Sequence, residues 1–266
     1  MGSGLYGAVC ARELTDRGLK VLVIDKRHHL GGNVYNEKIE GINVHTYGAH
    51  IFHTSDEKIW KYVNKYAEFN NFINSPVAIN GKNILSLPFN MWTFSQLWNE
   101  ADPNKVMEII AKQKGNISNP KNLEEQAISL VGEDVYRMLI KDYTEKQWGL
   151  PCTELPASII KRLPVRYTFN NNYFNDKYQG IPVGGYNKII DGLLDGVETE
   201  INADFYANKS YYESISKKII FTGKIDEFYD YKFGKLDYRS LKFENEILPT
   251  ENFQGNAVVN YTSKDV

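Results

Sequence analysis

The 266-residue sequence predicts a mixed α/β (α+β) fold, and three features carry that expectation. A glycine-rich turn, Gly2-Ser3-Gly4-Leu5-Tyr6-Gly7, leads into a helix-like stretch from Ala8 to Arg17 and then an apolar strand, Val21-Leu22-Val23-Ile24. Between 123 and 146, apolar residues (Leu123, Ala127, Val131, Val135, Leu139, Tyr143) recur mostly every four positions, as on one face of a helix. Strand-like, turn-punctuated segments flank that stretch at 74–92 and beyond 228.

The opening turn is the most informative element. A G-x-G-x-x-G sequence lets backbone N–H groups approach a pyrophosphate and starts a helix whose N-terminus favours anions. Gly18 closes that helix. Asp25 ends the following strand about twenty residues past the glycines, where a carboxylate can accept hydrogen bonds from a ribose. Together these features predict a Rossmann-like dinucleotide-binding domain. Only Met1 precedes Gly2, so the strand expected before the turn is not there and the sequence reads as shortened at this end. Next comes Leu30-Gly31-Gly32-Asn33. An acid, a basic stretch and then Gly-Gly favours FAD over NAD, the alternative being that the doublet only ends a turn.

Val77-Ala78-Ile79, a turn at 80–83 and Ile84 to Pro88 predict a hairpin. A weaker second helix spans 94–112 around Pro103. The loop Gly180-Ile181-Pro182-Val183-Gly184-Gly185 leads into a helix from Asn187 to Leu194. Glu198 to Phe205 and Lys218 to Gly223 read as two strands returning to the α/β domain, the second ending on Thr222-Gly223 where it could approach a cofactor. Alternation from Phe228 through Tyr231, Phe233, Leu236 and Tyr238, and again over 257–261, predicts antiparallel strands. The sequence stops at Val266 directly after a strand, which also reads as shortened.

Composition narrows the function. With 31 basic and 33 acidic residues the net charge is −2, so there is no electrostatic case for nucleic acid or an anionic membrane. No apolar run approaches 18 residues and no basic segment leads into a signal peptide, so membrane insertion is not expected and a cytoplasmic protein is. Cys10 and Cys152 form no C-x-x-C pair. All five histidines lie between 28 and 53, but His50-Ile51-Phe52-His53 lacks the glutamate and spacing of a zinc helix, so no metal is expected. A histidine here could face a flavin ring, or be an ordinary half-buried side chain.

The sequence resembles the UDP-galactopyranose mutases, a flavoprotein family, over essentially its whole length. The matching stretches are Gly-Ser-Gly-Leu-Tyr-Gly at 2–7, Gly-Gly-Asn-Val-Tyr at 31–35, Tyr-Gly-Ala-His-Ile-Phe-His-Thr at 47–54 and Tyr-Thr-Glu-Lys-Gln-Trp-Gly at 143–149. Asn-Asn-Tyr-Phe at 171–174, Tyr-Gln-Gly-Ile-Pro-Val-Gly-Gly-Tyr at 178–186, Tyr-Arg-Ser-Leu-Lys-Phe-Glu at 238–244 and Phe-Gln-Gly-Asn-Ala-Val at 253–258 complete the match. The resemblance implies three parts: an FAD domain (1–73 and 185–226), a helical bundle (93–160), and an antiparallel sheet or substrate domain (74–92, 161–184 and 227–266). It further implies that the sequence is truncated at both ends, losing a second diphosphate arginine, and that the 266-residue chain binds FAD poorly and turns over little.

The implied activity is isomerisation of UDP-galactopyranose and UDP-galactofuranose through an adduct between reduced flavin N5 and the sugar, which needs FAD in its reduced form. The implied setting is the cytoplasm, with a homodimer as the implied assembly and a cell-surface polysaccharide as destination. Carried over by motif, Gly2, Gly4, Tyr6, Gly7, Asp25, Gly32, Asn33, His50, Ile51, Asp204 and Phe205 would contact FAD, His50 nearest its reactive ring. Asn74, Tyr143, Thr144, Trp148, Tyr173 and Asn260 would line the UDP-sugar site, with Tyr143 stacked on the uracil. Arg162, and more weakly Arg239, would hold the diphosphate. His50, Trp148 and Arg162 would be the catalytic group. Each has a plainer reading: Trp148 as a packing residue, Arg162 as a solvated charge, Tyr173 as a strand-surface aromatic. The rivals are an FAD-dependent amine-oxidase-like oxidoreductase, a non-catalytic nucleotide-sugar-binding module, and a gene remnant.

Overall fold

The structure, a computed structural model, describes residues 2–161, 163–238 and 240–265. The chain divides into two compact units: one of residues 1–72 and 176–247, the other of residues 73–175 and 248–266.

In the first unit the helix Leu5–Thr15 starts directly from Gly4 and buries Gly7, Ala8 and Ala11. Small side chains on that face let the helix lie close to its neighbours. The strand Leu22–Ile24 pairs in parallel with Glu198–Glu200, Leu22 opposite Glu198. A tight hairpin, Asn36–Ile39 and Ile42–His45, turns through Glu40 and Gly41, both at positive φ, the conformation a two-residue connection requires. The strand Phe52–Thr54 runs antiparallel to Tyr178–Gly180, and Asp56 caps the helix Glu57–Val63 by accepting the Lys58 and Ile59 N–H groups. Helix Asn187–Leu193 packs Ile189, Ile190 and Leu193 against Ala8, Ala11 and Val23.

Three sequence expectations fail or fall short in this unit. Lys218 to Gly223 has no ladder; Ile219 and Phe221 instead pack on Ile24, Ala203, Phe205 and Tyr212. Burial against an aromatic cluster replaces strand pairing. From Phe228 to Tyr238 the alternation gives no strand among the described residues. A short helix, Ile225–Phe228, is followed by Asp230 and Tyr231 at φ 51° and 55° and Gly234 at φ 92°, and left-handed residues cannot continue an extended chain. Asp226 fixes the turn by accepting the Leu236 N–H and the Tyr238 hydroxyl. The strand expected over 198–205 also stops at Glu200, just before Asn202 at φ 54°.

The second unit holds a three-stranded sheet in the order Asn83–Ser86, Val77–Asn80, Val259–Tyr261. The first two strands form the expected antiparallel hairpin. The third pairs in parallel with Val77–Asn80, Asn260 opposite Ala78, and not antiparallel as the alternation predicts. The helix around Pro103 is two helices, Met91–Trp98 and Pro103–Lys114. Proline at the first helical position starts a helix but cannot continue one. The long helix over 123–146 is likewise divided. Leu123–Val131 ends at Gly132, whose φ of +84° breaks the helix, and a π turn, Tyr136–Lys141, leads into Asp142–Trp148. Phe94, Val106, Leu123, Val131, Val135 and Tyr136 form the core. Among the described residues no helix is long and apolar enough to cross a membrane.

Candidate functional site

In the first unit the opening turn faces the second glycine pair. Gly4 and Gly31 form a bridge in parallel sense, and Gly31 N–H donates to Ser3 Oγ at 3.1 Å. A Cβ on Gly32 would lie 2.8 Å from Gly4 Cα, and a Cβ on Gly2 would run into Thr222 Oγ1. Only hydrogen fits at these places. The two glycine segments edge a cavity of about 470 Å³, the size range of ligand sites. Of the residues expected at the cofactor, Gly2, Gly4, Tyr6, Gly7, Asp25, Gly32, Asn33, Asp204 and Phe205 line it.

Asp25 lines this cavity and is buried. Its Oδ2 accepts the Ser3 N–H (2.8 Å) and hydroxyl (2.6 Å), and Oδ1 accepts the Arg27 N–H at 3.0 Å. Burial works to raise its pKa, but the bonds from Ser3 and Arg27 and the nearby guanidinium outweigh it, holding the carboxyl below the usual value. Arg27 also lines the cavity; its guanidinium stacks 4.3 Å over the Tyr47 ring, and Nη2 donates to Asn33 Oδ1 at 2.9 Å. Arg27 Nη1 is buried with no hydrogen-bond partner, and such a donor suits an anionic oxygen. Glycines without room for Cβ, a helix N-terminus and this donor fit a diphosphate-bearing dinucleotide.

His50 and Ile51 belong to the same unit but do not line the cavity. His50 Nδ1 donates to the Gly48 carbonyl at 2.8 Å, and its backbone N–H donates to His45 Nδ1 at 3.0 Å. Burial, and then the neighbouring His50, lower the His45 pKa, keeping that acceptor nitrogen unprotonated. Among the described residues no group of three or more His, Cys, Asp or Glu converges as metal ligands would.

The described residues expected at a sugar nucleotide fall in the second unit. Asn74 is buried, and its carbonyl accepts the Tyr173 N–H at 2.8 Å. Burial, and then Tyr173 nearby, push the Tyr143 phenol above its ordinary pKa. Thr144 is buried on the Asp142–Trp148 helix, Trp148 packs against the unit's core from the same helix, and Asn260 sits mid-strand opposite Ala78. Arg162 and Arg239 lie outside the described residues.

Sequence reasoning did not assign Ser3, Arg27 or Lys224 to the cavity. Ser3 occupies a variable position of the turn, so spacing alone marks nothing there. Arg27 could have been found as a cation two residues past the ribose acid. Thr222 and Gly223 do line the cavity, although they end no strand.

A family model described as an NAD(P)-binding Rossmann-like domain matches residues 1–66, and one described as UDP-galactopyranose mutase matches residues 138–266. A dTDP-fucopyranose mutase of Escherichia coli is 42% identical over all of this chain and 73% of its own length. A probable UDP-galactopyranose mutase of Klebsiella pneumoniae is 39% identical over all of this chain and 70% of its own. A crystal structure of reduced UDP-galactopyranose mutase superposes with a TM-score of 0.57 at 16% identity, over 76% of this chain and 47% of that one, a likeness of fold. The chain belongs to the UDP-galactopyranose mutase family, whose cofactor is FAD.

Proposed function

We propose that this chain isomerises a pyrimidine-nucleotide hexose between pyranose and furanose forms, with UDP-galactopyranose and UDP-galactofuranose as the first pair to test. The observation that carries the reading is the first unit's cavity, whose two glycine segments and Arg27 suit the diphosphate of FAD. When bound and reduced, FAD supplies a nucleophilic nitrogen for an anomeric carbon with no net redox change. The chain's own residues bind and orient. The Gly2–Gly7 turn and Gly31 to Asn33 hold the pyrophosphate, Asp25 receives a ribose hydroxyl, and Asp204 and Phe205 take the adenosine end. His50, oriented by the Gly48 carbonyl and His45, serves the flavin side together with Ile51.

In the second unit Tyr143 stacks on the base, and Asn74, Thr144, Trp148, Tyr173 and Asn260 line the sugar nucleotide. Arg162 and Arg239 neutralise the diphosphate charge that develops on departure. The division into an FAD domain (1–73, 185–226), a helical bundle (93–160) and a sheet domain (74–92, 161–184, 227–266) belongs to this reading. So do a cytoplasmic location, a homodimer, and a product destined for cell-surface polysaccharide.

The name of the Escherichia coli relative makes dTDP-fucopyranose the second substrate to test; it differs in a base methyl, a ribose hydroxyl and the sugar C6 hydroxyl. The test is chromatography of each sugar nucleotide incubated with the chain and FAD, with and without dithionite. Ring isomerisation of UDP-galactopyranose only after reduction supports the proposal. Conversion of dTDP-fucopyranose alone would move the substrate assignment, and net oxidation with peroxide release would favour an amine-oxidase-like enzyme.

A further inference from the structure

The Asp142–Trp148 helix does not continue an α-helix; it follows a six-residue π turn, Tyr136–Lys141. Such turns wind more widely than an α-helix, are rare, and recur at functional sites. Their presence changes which face each later residue presents. Here the residues downstream are Tyr143, Thr144 and Trp148.

The π turn is held from outside. The Met138 carbonyl, inside it, accepts hydrogen bonds from Asn80 Nδ2 at 2.8 Å and Thr262 Oγ1 at 3.1 Å. Asn80 Nδ2 also donates to Thr262 Oγ1 at 3.1 Å, closing a triangle. Thr262 is 3% exposed, and its own N–H donates to the Ile79 carbonyl at 3.0 Å, so it is fixed to the sheet. The same segment grips the helix beyond the turn. Lys146 Nζ donates to the Tyr261 carbonyl at 3.0 Å, and Lys264 Nζ lies 3.7 Å from Asp142 and 3.5 Å from Glu145.

We propose that Asn80 and Thr262 are positioning residues that lock the π turn through the Met138 carbonyl and so set the rotational phase of the helix carrying Tyr143, Thr144 and Trp148. Neither touches a ligand. They act by orienting side chains that do, and the inference therefore rests on the nucleotide-sugar role proposed for that helix. Asn260, two residues before Thr262, is placed by the same strand, so the latch ties both parts of the second unit's candidate site to one sheet edge.

The test uses the full chain and three variants. Thr262→Val keeps the side-chain shape without the hydroxyl, Thr262→Ser restores the hydroxyl, and Asn80→Ala removes the other donor. Hydrogen exchange of the amides in 142–148, without ligand, is expected to quicken about 10-fold in Thr262→Val and Asn80→Ala, the scale of one lost buried hydrogen bond, and to stay near the parent rate in Thr262→Ser. UDP affinity, by calorimetry, is expected to fall about 5–10-fold in the first two and not in the serine variant. Unchanged exchange at 142–148, or an equal rise in the Val77–Ser86 hairpin and the Leu123–Val131 helix, would overturn the latch. If the parent chain binds no UDP, the nucleotide role of the helix fails by itself, and the exchange pattern alone decides the latch. If Thr262→Val does not fold, Asn80→Ala decides.

Discussion

Replacing Gly32 by alanine tests the cavity at its tightest point. Two costs add. Gly32 has a φ of +57°, and an L-residue there costs about 1–2 kcal/mol. The new Cβ would also lie 2.8 Å from Gly4 Cα and 3.2 Å from Gly4 N, both backbone atoms that cannot swing aside. Overpacking of that kind adds about 1–3 kcal/mol, for a total of about 2–5 kcal/mol. Gly41 is the control within the same unit. Its φ is +86° and nothing lies within 4 Å of a Cβ there, so Gly41→Ala carries the backbone cost alone. At about 2–4 °C per kcal/mol, thermal melts should fall by about 2–8 °C for Gly41→Ala and clearly further for Gly32→Ala. Flavin retention after desalting should drop in the Gly32 variant only. Equal melting temperatures and equal flavin retention in the two variants would refute the close approach of the two glycine segments.

Further outcomes follow from the same geometry. Asp25 is ionised and hydrogen-bonded when folded, with its pKa held below the ordinary carboxylate value. Its contribution is therefore complete above that value and is lost as the pH falls through the lower folded pKa. Urea melts of Asp25→Asn should show a loss of about 1.5–3 kcal/mol at neutral pH that shrinks below about pH 4; a pH-independent loss would contradict the sign. Arg27→Ala removes the orphaned donor and should weaken FAD binding about 10–100-fold in a fluorescence titration. Tyr143→Ala should weaken UDP binding about 10-fold or more and leave FAD binding unchanged; a matched loss of both would contradict the assignment of the two ligands to different units.

What could be read without coordinates was local. The turn at 2–7, its helix and the acid at 25 follow from spacing, and the hairpin at 77–86 and the helix after Tyr186 follow from turn chemistry and periodicity. What was missed depends on neighbours distant in sequence. Lys218 to Phe221 has strand-like composition, but its apolar side chains are taken by Phe205 and Tyr212. The alternation past Phe228 is real as a pattern, yet Asp226 ties the chain into a turn there. Gly132 breaks a helix whose apolar stripe runs on through the break, because packing conserves the stripe while the backbone changes course.

The site divides in the same way. The glycines and Asp25 were legible from spacing, whereas Ser3 and Arg27 needed the fold to show what they hold. Asn74 and Asn260 stand in none of the matching stretches, and spacing alone reveals no chemistry for Tyr143 and Tyr173. Resemblance singled them out; in the second unit a backbone hydrogen bond joins Asn74 to Tyr173, and Tyr173 lies near enough to Tyr143 to help raise its pKa.

The central claim is that the two glycine segments together cradle a flavin dinucleotide's pyrophosphate. Hydrogen exchange of the backbone amides at 3–7 and 31–34, with and without saturating FAD, measures it directly. The account predicts that FAD slows exchange in both segments at once and that ADP does the same. Saturable FAD binding with neither segment protected would contradict it.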